Sequence, residues 1–294
     1  MRTLAILLSL LIAIAASAED LAKKYTDQAW AMYNRLESGD AQEGDSYYSA
    51  IELFKEAAAH GNKDVYNTIG YIYQHHAQVY AEGAGPIDPK DYAALVESYY
   101  NKAIANGSLN AIYNLVTCYD RADSRTGFER DFDKVLALYR MGANQGNAYC
   151  LTELGQMYRN RTISSSDKYP EVAAFECFSK AYENQPENCP AICPLAECYE
   201  NGYGVKRDEP KAFNLYLEGS SYNDYAAAKV GLFYEEGRVV EKDLQKAYEY
   251  YCKATENSFL DEWIMQHYYH VAHILGKEDS EYIEVETVSP AVAE

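Results

Sequence analysis

The sequence lacks the patterns that announce most hydrolases and nucleotide enzymes. It contains no His-Glu-x-x-His, no Gly-x-Ser-x-Gly and no phosphate-cradling glycine loop, which removes the usual zinc-protease, serine-hydrolase and nucleotide-binding signatures. No Cys-x-x-Cys pair occurs either. Cys189 and Cys193 are four apart and Cys193 and Cys198 five, wider than the tight pairs of structural zinc sites. Basic residues are scarce: 26 Lys and Arg against 45 Asp and Glu give a formal charge of -19. A surface that acidic repels phosphate backbones, so nucleic acid is not an expected partner. Nothing in the sequence calls for a cofactor.

Long apolar runs are missing beyond the first residues, so no membrane span is expected. Met1-Arg2-Thr3 precedes an apolar stretch from Leu4 to Ala16, closed by Ala16-Ser17-Ala18 and then Glu19-Asp20. A membrane helix needs roughly 20 apolar residues; a positive start, a short apolar stretch and a small-x-small ending predict a secretory signal peptide over residues 1–18. The mature protein is then expected in a periplasmic or extracellular space, or the endoplasmic-reticulum lumen of a eukaryotic host. Residues 279–294, acidic with Val, Ser and Pro, are expected to form a disordered tail.

Phenylalanine is also sparse, with eight residues against thirty tyrosines. Tyrosine suits half-buried surfaces, where the ring packs and the hydroxyl stays wet. A thin array, in which few residues lie far from water, provides that environment.

Against these absences stands a repeat. A series of small, large aromatic, small and turn residue at offsets 0, 4, 7 and 11 reads Ala50, Phe54, Ala57, Gly61; Val96, Tyr100, Ala103, Gly107; Val135, Tyr139, Gly142, Gly146; Ala174, Phe178, Ala181, Gln185; Ala212, Tyr216, Gly219, Asn223; and Ala247, Tyr251, Ala254, Ser258. These offsets fall on one stripe of a helix, so each copy predicts an amphipathic helix facing a neighbour. A second series, small-x-x-x-aliphatic-small-x-x-Tyr, precedes it: Val65, Ile69, Gly70, Tyr73; Ala111, Leu115, Val116, Tyr119; Cys150, Leu154, Gly155, Tyr158; Ala191, Leu195, Ala196, Tyr199; and Ala226, Val230, Gly231, Tyr234. It predicts the first helix of each pair. A glycine inside a helix costs about 1 kcal/mol against alanine. Gly70, Gly155 and Gly231 at one register position are therefore expected where two helix backbones approach closely.

Between the helices, Tyr199-Glu-Asn-Gly202-Tyr-Gly204-Val205-Lys-Arg-Asp208-Glu-Pro-Lys211-Ala212 resembles the Sel-one-like repeat, a relative of the tetratricopeptide repeat with a glycine-rich loop. Tyr234-Glu-Glu-Gly237-Arg-Val239-Val240-Glu-Lys-Asp243-Leu-Gln-Lys246-Ala247 matches nearly as well, with Val239 in place of the second loop glycine. Earlier units match through their helices only. The resemblance runs from about Ala29 to Ser258, and Asp261 to Leu275 reads as a closing helix. It implies an all-α, right-handed α-α superhelical solenoid of about six helix-turn-helix repeats, over residues 19–278. It also implies a scaffold or adaptor, not an enzyme, that holds a partner protein or peptide in a concave groove. Exposed first-helix aromatics Tyr71, Tyr113 and Phe233 are candidate groove contacts. The oligomeric state stays open.

A cysteine-rich branch of that family has been linked to β-lactam binding, which leaves a β-lactamase-like or penicillin-binding hydrolase as the alternative. The seven cysteines here do not form the regular pair per repeat of that branch. Ser165-Ser-Asp-Lys168 satisfies Ser-x-x-Lys without the Lys-Thr-Gly or Ser-x-Asn partner of that chemistry. In an oxidising compartment Cys150 and Cys177, on the two helices of one unit, are the favoured disulfide. His267, His270 and His273 spread over about a third of a helix circumference and read as ordinary half-exposed side chains.

Overall fold

The computed structural model describes residues 2–76, 87–121, 126–163, 169–255 and 262–277, with side chains from Ser17 onward. Thirteen α-helices and no strand occur among the described residues. They form two compact units, residues 1–144 and 145–294. The first holds α1 (Arg2–Ser38), α2 (Tyr47–Ala59), α3 (Val65–His75), α4 (Pro89–Ala105), α5 (Leu109–Arg121) and α6 (Phe132–Asn144). The second holds α7 (Ala148–Arg159), α8 (Pro170–Asn184), α9 (Ile192–Asn201), α10 (Glu209–Gly219), α11 (Asp224–Glu236), α12 (Leu244–Thr255) and α13 (Glu262–Ile274). Within each unit every helix packs on its chain neighbours, and α3 also touches α5, as α11 touches α13.

The two periodic series land on alternating helices. The aromatic series lies on α2, α4, α6, α8, α10 and α12, and the described members of its apolar stripe are buried, from Ala50, Phe54 and Ala57 to Ala247, Tyr251 and Ala254. Each ring removed from water contributes about 1.5–3 kcal/mol. The tyrosine series lies on α3, α5, α7, α9 and α11. The first pair is completed by α1, through buried Ala22 and Ala29. The expected closing helix is α13, which seats Ile264, Val271 and Ala272. Ser258 and the tail at 279–294 lie outside the described residues.

Gly70, Gly155 and Gly231 are internal to α3, α7 and α11, but the reason differs from the expectation. An aromatic ring of the following helix occupies the space beside each glycine. A Cβ on Gly70 would stand 2.8 Å from Cδ1 of Tyr100, and one on Gly231 would stand 3.0 Å from Cε1 of Tyr251. At Gly155 the clash would be with Phe178. At Gly231 the backbone also comes close, since the Ala247 carbonyl oxygen would lie 3.2 Å from the added carbon.

The loop between paired helices is built from its sequence. The Asp208 carboxylate accepts from the backbone N–H of Lys211 at 3.0 Å, capping α10, and Asp243 accepts from Lys246 at 3.0 Å. The backbone N–H of Asp208 donates to the Tyr199 carbonyl at 2.8 Å and that of Asp243 to Tyr234 at 2.9 Å. The lysine then lies over the tyrosine ring: Lys211 Nζ is 4.2 Å from the Tyr199 centroid, Lys246 Nζ 5.1 Å from Tyr234, and Lys134 Nζ 4.5 Å from Tyr119. Such contacts are worth about 0.5–1 kcal/mol at exposed sites.

Gly202 and Gly237 end α9 and α11 in the left-handed conformation, both with φ of 72°. Gly204 follows with φ of 70°, against the Glu171 backbone, where a side chain has no room. Val239, which stands where the repeat has its second glycine, keeps the left-handed turn with φ of 64°. That conformation is unfavourable for a β-branched residue.

Candidate functional site

Among the described residues the aromatics are mostly packed, so those left in solvent on a first helix stand out. Tyr71 on α3 is 38% exposed and Tyr113 on α5 is 45% exposed. Tyr71 stacks on His75, one turn along, with centroids 3.8 Å apart. Between the two helices runs a neutral polar ladder. Asn114 Nδ2 donates to Asn67 Oδ1 at 3.0 Å, and Gln74 Nε2 to Thr117 Oγ1 at 3.4 Å. Asn67 and Tyr71 are four apart and share a helix stripe; Tyr113 adjoins Asn114. Two tyrosines thus flank a strip of amides and a hydroxyl that carries no formal charge.

Phe233, the third expected groove aromatic, does not belong to such a face. It is fully buried, 5.5 Å from Phe213 and 6.2 Å from Tyr216 between centroids, with the Arg238 guanidinium 4.5 Å over its ring. Its helix, α11, is covered on both sides at that point, and the sequence pattern does not separate an exposed aromatic from a core one.

The repeat tyrosines are packing residues. Tyr73 is buried edge-on to Tyr92 at 5.9 Å and stacked with Tyr99 at 5.7 Å; Tyr119 is buried, and Tyr158, Tyr199 and Tyr234 are half-buried. The residue after the tyrosine was not singled out from the sequence, yet on α3, α7, α9 and α11 it joins repeats. Gln74 accepts the Tyr100 hydroxyl. Glu200 accepts the Tyr216 hydroxyl at 2.9 Å, Lys229 Nζ at 2.8 Å and Arg238 at 3.1 Å. Glu235 accepts the Tyr251 hydroxyl at 2.6 Å and faces His267 at 2.9 Å and His270 at 3.8 Å. At the equivalent place on α7, Arg159 pairs with Glu197. Each of these residues therefore binds a neighbouring unit, and in three of the four also the second helix of its own. Burial pushes the Glu200 carboxyl up, but the hydrogen bonds and charge of Lys229, with Tyr216 and Arg238, outweigh it and hold the group below its ordinary value.

The cysteines line the packing. Burial pushes the Cys118, Cys193 and Cys198 thiols up to about 12 and Cys150 to about 11. Cys193 Sγ donates to Asn223 Oδ1 at 3.2 Å. Cys150 is buried in α7 and Cys177 half-buried in α8, and the expected bridge does not join them in the structure. No three His, Cys, Asp or Glu side chains among the described residues are placed to hold a metal ion. Ser165 and Lys168 lie outside the described residues. No helix among the described residues is long and apolar enough to cross a membrane.

The fold has known counterparts. A Sel1 repeat protein from Oxalobacter formigenes is 22% identical, with a TM-score of 0.59 over 86% of this chain and 99% of that one. A protective antigen of uropathogenic Escherichia coli strains displaying an SLR fold is 21% identical, with a TM-score of 0.61 over 88% of this chain; the match spans 57% of that protein. At this identity both show the fold alone. No curated protein matches the sequence. The Sel1 repeat model matches residues 36–62, 117–147, 148–186, 190–221 and 224–259, more than half of the chain, and among the units it leaves out is the α3–α4 pair. With that match the chain belongs to the Sel1 repeat family, whose members are generally scaffolds for protein–protein interaction.

Proposed function

We propose that this protein is an exported adaptor that holds a partner protein or peptide on the first-helix face of its repeats. The observation that carries this reading is the α3–α5 face, where the part-exposed first-helix aromatics Tyr71 and Tyr113 lie beside a hydrogen-bonded amide strip. Large amphipathic rings pay little conformational entropy on binding and recur as interface anchors. The acidic balance of the chain favours a basic partner surface. Export is part of the proposal and rests on the residue order Met1 to Ala18.

The test is crosslinked co-purification of the tagged full chain from the envelope or secretory fraction of its host, compared with a Tyr71→Ala/Tyr113→Ala form. The expected result is a partner recovered with the wild-type chain and depleted with the double variant. Recovery of no partner under either condition, with or without crosslinking, overturns the reading.

A further inference from the structure

We propose that the acidic C-terminal segment, residues 278–294, lies back along the loop edge of the last two repeats, with its carboxylates on Lys206 and Lys242. The edge consists of the inter-helix loops with the first turns that follow them, residues 202–211 and 237–246, together with Lys277. Docked there, the segment closes a basic surface to acidic partners. The inference goes beyond the scaffold reading and does not use the α3–α5 face.

The place where the described chain ends supplies the first argument. Gly276 closes α13 with φ of 63°, and the Lys277 backbone N–H donates to the Ala272 carbonyl at 2.9 Å. Lys277 Nζ donates to Gln245 Oε1 at 2.9 Å and stands 4.1 Å over the Tyr248 ring. Gln245 and Tyr248 lie in the first turns of α12, so the segment departs beside the loop that leads into that helix. This loop in turn reaches the one before it, since Arg238 pairs with Glu209 at 3.4 Å. The two loops and the chain end thus make one continuous edge. Seventeen residues, 278 to 294, follow Lys277. Extended, they span about 55 Å, while neighbouring helices pack about 8–10 Å apart. The segment is long enough to pass both loops.

Charge supplies the second. On the two loops Lys206, Arg207, Lys211, Arg238, Lys242 and Lys246 stand against Asp208, Glu209, Glu241 and Asp243, in a chain that has 26 bases to 45 acids. Most of those acids are engaged. Asp208 and Asp243 cap their helices, and Glu209 faces Arg207 and Arg238. Of the flanking acids, Glu236 pairs with Arg238 and Glu249 accepts from Gln245 Nε2. Glu241 is exposed and opposes the attraction locally. Three bases are engaged as well, with Lys211, Lys246 and Lys277 over tyrosine rings. Lys206 and Lys242 are exposed and hold no ion pair or ring among the described residues. The segment brings Glu278, Asp279, Glu281, Glu284, Glu286 and Glu294 and no base. Its Ile283-Glu284-Val285-Glu286 run alternates apolar and acidic residues, which in an extended chain puts carboxylates on one side and aliphatic groups on the other. Val239 and Ile274, 45% and 52% exposed, offer apolar contacts on the same edge. Each surface ion pair is weak, but a short tether holds the segment at millimolar local concentration.

Carbodiimide crosslinking of the full chain tests this, read by peptide mass spectrometry on a mixture of isotope-labelled and unlabelled protein. The expected links join segment carboxylates to Lys206 and Lys242 within one chain. A second readout is the acetylation rate of these amines, compared with a form whose six segment acids are replaced by Gln or Asn. Both lysines are expected to react about threefold more slowly in the wild type at low salt. The difference is expected to close in about 1 M salt, where charges are screened beyond about 3 Å. Lys180, exposed in the same unit, is expected to react alike in both forms. The replacements all fall after Lys277, and the melting midpoint is expected to stay put. Links found only between labelled and unlabelled chains assign the contact to a second copy and overturn the proposal. Links confined to other lysines, or equal acetylation of Lys206 and Lys242 in the two forms at low salt, overturn it as well.

Discussion

The ring of Phe178 on α8 fills the place where a Gly155 side chain on α7 would begin. The glycine is therefore a receptacle for a ring, and its cost in helix propensity is offset by an aromatic buried to completion. Gly155→Leu is expected to lower stability by about 1–3 kcal/mol through overpacking. Adding Phe178→Ala removes the clash, so the double variant is expected to fall short of the summed losses in urea unfolding. Strict additivity would place the ring elsewhere.

Val239 carries a backbone conformation suited to glycine, with φ of 64°, at a site where 45% of the residue is exposed. Val239→Gly sacrifices little packing and relieves a left-handed β-branched residue. A gain of about 1 kcal/mol is expected, read as a higher melting midpoint. The reverse change, Gly204→Val, meets the Glu171 backbone as well and is expected to be strongly destabilising.

Glu200 is buried among Lys229, Arg238 and Tyr216. Its carboxyl is held below its ordinary value, so its contribution is present above about pH 4.3, the unfolded carboxyl's range, and is lost as pH falls through the lower folded value. Glu200→Gln is expected to cost about 3 kcal/mol at pH 7, the low end for breaking a buried pair, because Arg238 still reaches solvent. The gap between variant and wild type in urea midpoint is expected to narrow below pH 4. A gap constant from pH 7 to pH 3 would remove the charge from the explanation.

Cys118, Cys193 and Cys198 are buried with thiols pushed up to about 12. The thiolate is the reactive form, so these three are expected to be silent to Ellman's reagent at pH 8 in the folded protein and to react at once in guanidinium. Fast reaction of any of them in the native state would mean that its helix opens.

The helical frame was legible because small and aromatic residues recur at fixed offsets, and a stripe of period 3.6 can belong only to a packed helix. Gly70, Gly155 and Gly231 stand out in the sequence by their shared register, but a sequence gives the position of a missing side chain and not what enters the gap. Phe233 and Tyr71 illustrate the harder limit. Both are aromatics on first helices, yet one is sealed under Arg238 and the other faces solvent, a difference set by neighbours distant in sequence. Asn67 and Asn114, 47 residues apart, carry no local signal at all. The residues after the repeat tyrosines were readable in principle, since Gln74, Glu200 and Glu235 share one register, but their varied chemistry hid the shared role.

That shared register also limits how such a chain can be reshuffled during evolution. A duplicated or borrowed module brings its own residue after the tyrosine, and this residue must suit the neighbour that follows and, where its own second helix carries a tyrosine, that hydroxyl as well. Modules with Gln or Glu there suit a tyrosine-bearing second helix, as in Gln74 with Tyr100 or Glu200 with Tyr216. The module with Arg159 carries Phe178, which asks for no acceptor. Recombination that splits these matched pairs strands a buried hydroxyl, so insertions and losses should respect whole modules together with the junction to the next.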